Sequence, residues 1–207
     1  MPTRDDIILW AVDTQHDFML PGGKLYVPGA ERLIPNIHRL TDAAREGHVL
    51  LISHGCIHTP DDPEFAQFPP HCVEGTQGAQ FISEALTKKV HTVANHPSTS
   101  LPEDFSKFHQ LHLHKQTLDI FESRHAHSLV DRLPRHAEIF VFGVVTEYCV
   151  RFAAKGLLER GRKVSIVTDA IETLNPEESR KTLAELKSQG AKLVKTDEVL
   201  ELIHAHA

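Results

Sequence analysis

Cys149 lies in the segment GVVTEYCVR (143–151), directly after the apolar run EIFVF (138–142). A cysteine at the start of a helix that follows a buried strand is well placed to be a nucleophile. Unpaired backbone N–H groups and the positive end of the helix dipole favour a thiolate there. With Thr146 as the N-cap, Cys149 falls in the first helical turn, and the same N–H groups can hold an oxyanion after attack on a carbonyl. The plainer reading is a small buried apolar residue. Asp13, in VDTQHDF after the run IILWAV, is of the type to take the thiol proton and deliver it later to a leaving amine. Lys115, in HLHKQTLDIF, is of the type to hold both anions and keep the sulfur ionised. A loop carboxylate and a solvated lysine are the ordinary alternatives. The three gain weight only if one sheet edge carries them all.

The elements that must position them alternate along the chain. Six strands are expected: IILWAV (7–12), HVLLIS (48–53), LHLH (111–114), EIFVF (138–142), KVSIVT (163–168) and AKLV (191–194). Several are apolar without alternation, the pattern of strands covered on both faces. Between them, NPEESRKTLAELKSQG carries Asn175 as N-cap, Pro176 in the first turn and Gly190 as the stop. TEYCVRFAAKGLLERG places Val150, Ala153, Ala154, Leu157 and Leu158 on one helical face. A third helix runs through Leu33, Ile37, Leu40 and Ala44, with Pro35 near its first turn. Residues 54–110 read as long, Pro-rich and irregular, with one helix near 78–88. Strand–helix alternation predicts a single α/β domain over 1–207 with a mainly parallel sheet. Such sheets bind ligands beyond the carboxyl ends of their strands, where Asp13, Lys115 and Cys149 all fall.

The chain has 207 residues, a formal net charge of −6 and three cysteines. The charge carries no electrostatic footprint for nucleic acid. No apolar run reaches the roughly 18–20 residues that span a bilayer, and MPTRDD leads straight into a strand-like run, leaving no room for a signal peptide. An odd number of cysteines outside a secreted-scaffold pattern points to a reducing cytoplasm.

Four segments, VDTQHDFMLPGGKL, FPPHCVEGTQGAQF, HKQTLDIF and GVVTEYCV, resemble in order and spacing the signatures of the nicotinamidase/isochorismatase-like cysteine hydrolases. The resemblance covers nearly the whole chain. It implies a three-layer α/β/α fold around a six-stranded sheet and a catalytic triad at Asp13, Lys115 and Cys149. It also implies a cis peptide at Val144–Val145, with the N–H groups of Val145 and Cys149 as the oxyanion hole. Phe18, Phe68 and Phe121 match positions of pocket aromatics, with Phe68 where nicotinamidases usually carry Trp; plain core residues are the competing reading.

The same resemblance implies a divalent metal that binds the pyridine nitrogen of the substrate. The family pattern is Asp-x-His, then His or Glu six residues on, then the His of an HCV motif. It falls on Cys56, His58, Glu64 and His71, with Cys56 in the aspartate position. A thiolate is a competent zinc ligand, and the softer set favours zinc or iron over manganese or magnesium. His54 is a spare candidate, Asp61 and Asp62 read as exposed turn carboxylates, and Cys72 reads as packing. A decayed site of polar loop residues is the alternative. The activity implied is hydrolysis of a small planar amide, nicotinamide first, by a homodimer or homotetramer. The alternatives are a relative acting on N-carbamoyl or ureido bonds and a binding or scaffold protein of the same fold.

Overall fold

The computed structural model describes residues 6–206, the side chain of His206 excepted. The first five residues and Ala207 of the domain expected over 1–207, and with them the expectation about a leader, lie outside the described residues.

The strands are β1 (Ile7–Val12), β2 (Leu50–Cys56), β3 (Val90–Val93), β4 (Gln110–Lys115), β5 (Glu138–Gly143), β6 (Lys163–Ile171) and β7 (Lys192–Val194). They form one sheet in the order β3-β4-β2-β1-β5-β6-β7, and every neighbouring pair is parallel. The six strands read from sequence are all present, and β3 makes a seventh. Its sequence, VHTV, is short and half-exposed at the sheet edge, so no apolar run marks it. The helix expected near 78–88 is only a single turn of 3-10 helix at Ser83–Ala85. The chain there is held extended by the approach to β1: Gln15 bridges Phe81, and the Ile82 N–H donates to Thr14 O at 3.0 Å. Tertiary pairing overrides local propensity.

The helices are α1 (His16–Met19), α2 (Ile34–Arg45), α3 (Ala126–Arg132), α4 (Arg151–Glu159), α5 (Pro176–Ser188) and α6 (Thr196–His206). All six residues of β1 are buried because helices cover both faces. Leu9, Phe140 and Val167 pack with Ile37 and Leu40 of α2 and Val199 and Ile203 of α6. Trp10, Ile139 and Ile166 pack with Leu129 of α3, Leu157 of α4 and Leu186 of α5. Two cores on either side of one sheet make the three-layer α/β/α architecture. Asn175 caps α5 by accepting from the Glu177 and Glu178 N–H groups, with Pro176 in its first turn. Among the described residues no helix is long and apolar enough to cross a membrane.

Candidate active site

Strand order decides which polar residues meet. In the run β4-β2-β1-β5, Val12 pairs with His54 and with Gly143, and Cys56 pairs with Lys115. Four strand ends therefore stand side by side. Asp13 is one residue past β1, Cys56 and Lys115 close β2 and β4, and Cys149 follows β5 after a sharp bend. Gly143 makes that bend possible. Its φ is +116°, and a Cβ there would lie 2.0 Å from Val12 O, so only glycine fits. The Val144–Val145 peptide bond is cis.

The structure brings Asp13, Lys115 and Cys149 together. Lys115 is fully buried, and its Nζ lies 3.1 Å from Asp13 Oδ2. The same ammonium donates to Cys56 Sγ at 3.0 Å, Thr117 O at 3.1 Å and Cys149 Sγ at 3.6 Å. A buried ammonium is tolerable only when paired and hydrogen-bonded in this way. Burial pulls its pKa down, but Asp13, then Cys149 and Cys56, outweigh burial and leave it well above the ordinary value. Burial, followed by the negative charge of Asp13, pushes the Cys149 thiol well above its usual range, against the lowering effect of Lys115. Burial and Asp13 thus favour the thiol form of this sulfur, opposite in direction to the ionisation expected from a helix start.

The local backbone explains the difference. Thr146–Val150 is one turn of π-helix preceded by Val145, and Tyr148 has non-helical angles within it. Regular α-helix begins only at Arg151. Thr146 is not the N-cap, and its hydroxyl donates to Glu172 O at 2.8 Å. Cys149 therefore precedes the aligned dipoles of α4. Asp13 has a φ of +49°, a left-handed conformation uncommon outside glycine that clusters at functional sites.

Next to the triad is a second cluster. His58 is fully buried, its Nδ1 lies 3.0 Å from Asp62 Oδ2 and its Nε2 3.1 Å from Glu64 Oε2. Neither ring nitrogen, nor Glu64 Oε2, has a hydrogen-bond partner of good alignment. One ligand atom each from Cys56, His58 and His71 lie within 4.8 Å of one another, and so do those of His58, Asp62 and Glu64. His71 Nδ1 donates to Pro69 O at 2.8 Å, which leaves Nε2 with its lone pair. Burial lowers the His71 pKa, and the Pro69 carbonyl opposes that only in part. Two imidazoles, a carboxylate and a thiol, with the buried His58 nitrogens lacking a well-aligned hydrogen-bond partner, fit a divalent cation of borderline softness. Burial pushes the Cys56 thiol up to about 12, so its use as a ligand requires that proton to be expelled.

Asp62 belongs to this cluster, although the sequence suggested an exposed turn. Its side chain is 10% exposed, and it accepts from the Glu64 N–H at 2.9 Å. The readable signal was DDPE, an N-cap before a proline at the first helical position. His54 is not in the cluster. It packs edge-on against Trp10 with ring centres 6.1 Å apart, and burial lowers its pKa to about 3. Gln15 is a further residue the motifs did not single out. Its amide donates to Cys56 O at 2.6 Å and accepts from Cys56 N–H at 2.8 Å, gripping the end of β2 from both sides.

A cavity of ≈ 110 Å³ opens over Cys149, with Phe18, Phe68, Leu118, Tyr148 and Leu174 in its wall and Cys56, Glu64 and His71 on its polar side. Val145 also lines it. Phe121, expected in the same wall, is not there. It is buried in the core on the α3–α4 side, under the Arg160 guanidinium, whose carbon stands 3.8 Å from its ring centre. A Cβ at Gly156 of α4 would meet that ring at 2.2 Å. Leu118, Tyr148 and Leu174 had no signal in the sequence, because an apolar wall residue looks like any other apolar residue.

The sequence model of the isochorismatase domain family matches residues 7–198. The nicotinamidase of Escherichia coli (strain K12) is 28% identical over 216 residues, covering 93% of this chain and 95% of the relative. The nicotinamidase of Saccharomyces cerevisiae is 28% identical over 221 residues, covering 90% and 98%. The crystal structure of pyrazinamidase of Pyrococcus horikoshii in complex with zinc is similar with a TM-score of 0.72 and 28% identity, covering 92% of this chain and 99% of that one.

Proposed function

We infer that this chain, which belongs to the isochorismatase domain family, is a cysteine-dependent amidohydrolase whose first substrate is nicotinamide. The observation that carries this reading is the Lys115 ammonium held between Asp13, at 3.1 Å, and the Cys149 sulfur, at 3.6 Å, beneath an apolar cavity. Such a floor suits a small planar amide with its carbonyl over the sulfur.

Asp13 takes the proton of Cys149 as the thiolate adds to the amide carbonyl. Lys115 keeps the carboxylate in place and compensates the charge that moves onto sulfur. The N–H groups of Val145 and Cys149 hold the oxyanion. As the carbon–nitrogen bond breaks, Asp13 returns the proton and ammonia leaves. Water, deprotonated by the same carboxylate, then attacks the thioester, and collapse releases the acid and restores the thiol. The balance is amide plus water to acid plus ammonia.

Cys56, His58, Glu64 and His71 would hold the divalent metal, zinc by the softness of the set, and Asp62 would support His58 from behind. When bound, that ion supplies an electrophilic centre for a ring nitrogen. The similarity of the chain to nicotinamidases and to a zinc-bound pyrazinamidase supports this assignment.

The test is ammonia release from a panel of amides that includes nicotinamide, a benzene-ring amide and an N-carbamoyl amine. Preference for nicotinamide supports the reading. Activity confined to the carbamoyl compound moves the chain to that substrate class, and no ammonia from any of them leaves a binding protein.

A further inference from the structure

Asp17 has no place in the chemistry above, yet it is 6% exposed and fully engaged. Its Oδ2 accepts from the Cys72 N–H at 2.7 Å, and its Oδ1 accepts from the Lys24 N–H at 2.9 Å. Its own N–H donates to Gly78 O at 3.1 Å. One carboxylate thus ties the turn after α1 to the loop that carries His71. Room for it is reserved: a Cβ at Gly78 would lie 2.1 Å from Asp17 Oδ2.

What Asp17 holds is an unusual piece of backbone. Cys72 has a φ of +46°, a conformation that non-glycine residues adopt only when their surroundings impose it. The Cys72 carbonyl accepts from the His58 N–H at 3.1 Å. The Cys72 peptide unit therefore stands between Asp17 and His58 and carries His71 directly before it. Phe18, next to Asp17, packs edge-on against the His71 ring with centres 5.4 Å apart.

We propose that Asp17 is a positioning residue of the metal site, acting through the Cys72 backbone to hold His71 at its distance from His58. The inference rests on the metal reading given under Proposed function. It assigns the DTQHDF segment two tasks: Asp13 serves the sulfur, and Asp17 sets the metal ligands. Outer partners of this kind change metal affinity about 10–100-fold when removed.

The experiment compares zinc affinity of metal-stripped full-length protein, by competition with a chromophoric chelator, for wild type, Asp17→Asn and Gly78→Ala. The second variant displaces the carboxylate without removing it, and it stands in if the first does not fold. Zinc should bind about 10–100-fold more weakly in both, and the rise in melting midpoint on adding zinc should shrink. The KM for nicotinamide should rise with kcat maintained. A variant that melts lower by the same amount with and without zinc, at wild-type zinc affinity, overturns the inference and leaves the metal reading intact. Wild-type protein that binds no zinc overturns both.

Discussion

Lys115 Nζ lies 3.0 Å from Cys56 Sγ, nearer than the 3.6 Å that separates it from the sulfur of Cys149. One ammonium therefore contacts two thiols, and a thiolate at Cys56 would draw it away from Cys149, the proposed nucleophile. Cobalt-loaded protein should show thiolate-to-metal charge transfer in the near ultraviolet, and Cys56→Ser should lose it. Zinc binding in the serine variant should also depend less steeply on pH, since one ligand proton no longer has to leave. An unchanged spectrum in the variant excludes Cys56 from the coordination sphere.

Removing the nucleophile gives the largest effect on turnover. Cys149→Ala should lower kcat by about 10⁴-fold or more with the fold retained, because the lost sulfur is a small buried group. A substrate-like aldehyde should add covalently to the wild type and not to the variant, as read by intact mass. Residual turnover within a factor of ten of wild type would falsify the thioester route.

Because burial raises the Cys149 pKa, its alkylation should be slow at neutral pH and faster as pH rises. Asp13 is one of the causes holding that pKa up, and Lys115 is a cause holding it down. Asp13→Asn should accordingly speed iodoacetamide modification while abolishing hydrolysis, and Lys115→Ala should slow both. Parallel losses of alkylation and turnover in the aspartate variant would show that its carboxylate sets the reactivity of the resting thiol.

Acid stability has identifiable sources. His54 and His112 are fully buried, and burial, the first cause for each, lowers their pKa to about 3. Each prefers the neutral form in the fold and takes a proton more readily when unfolded. Stability is complete above the unfolded value of about 6.5 and is lost as pH falls from there toward about 3. At pH 5 the loss is on the order of 2 kcal/mol for each. Urea unfolding of wild type at pH 7 and pH 5 should reveal it, and His54→Gln should flatten the dependence. An equal slope in that variant removes His54 from the account.

Phe18 and Phe121, two buried phenylalanines on opposite sides of the sheet, should separate by phenotype. Phe18→Ala should raise the KM for nicotinamide through the cavity wall. Phe121→Ala should cost about 3–5 kcal/mol of stability with KM unchanged. A KM effect at Phe121 would place it in the pocket after all.

How much of this was legible beforehand follows from what is local. Asp13 and Lys115 are conspicuous because each directly follows a strand-like run, and Cys149 because it follows one after a short turn. Their meeting depends on the order β4-β2-β1-β5, a nonlocal fact that no local pattern carries; the family resemblance implied the triad without that order. β3 escaped notice because four residues at a half-exposed edge carry no period. Phe121 was misplaced because burial alone does not say which side of the sheet a ring fills. The thiolate at a helix start assumed a regular first turn, where the chain instead makes a π turn with Tyr148 out of register. Asp17 and Gln15 act through hydrogen bonds to distant backbone, which no spacing rule encodes.

The triad candidates Asp13, Lys115 and Cys149 stand at or after the ends of β1, β4 and β5, and the edge strands β3 and β7 contribute none of the triad or metal candidates. Central strands are the last part of such a sheet to open, and edges fray first. Amide hydrogen exchange should therefore be slowest in the very strands that carry Asp13, Lys115 and Cys56. Fluctuations at β3 or β7 leave the Asp13–Lys115 distance untouched, so that pair should be lost only with global melting. The Asp13–Lys115 pair therefore persists until the sheet itself comes apart, whereas His58, Glu64 and His71, on the loop after β2, can separate by local opening alone.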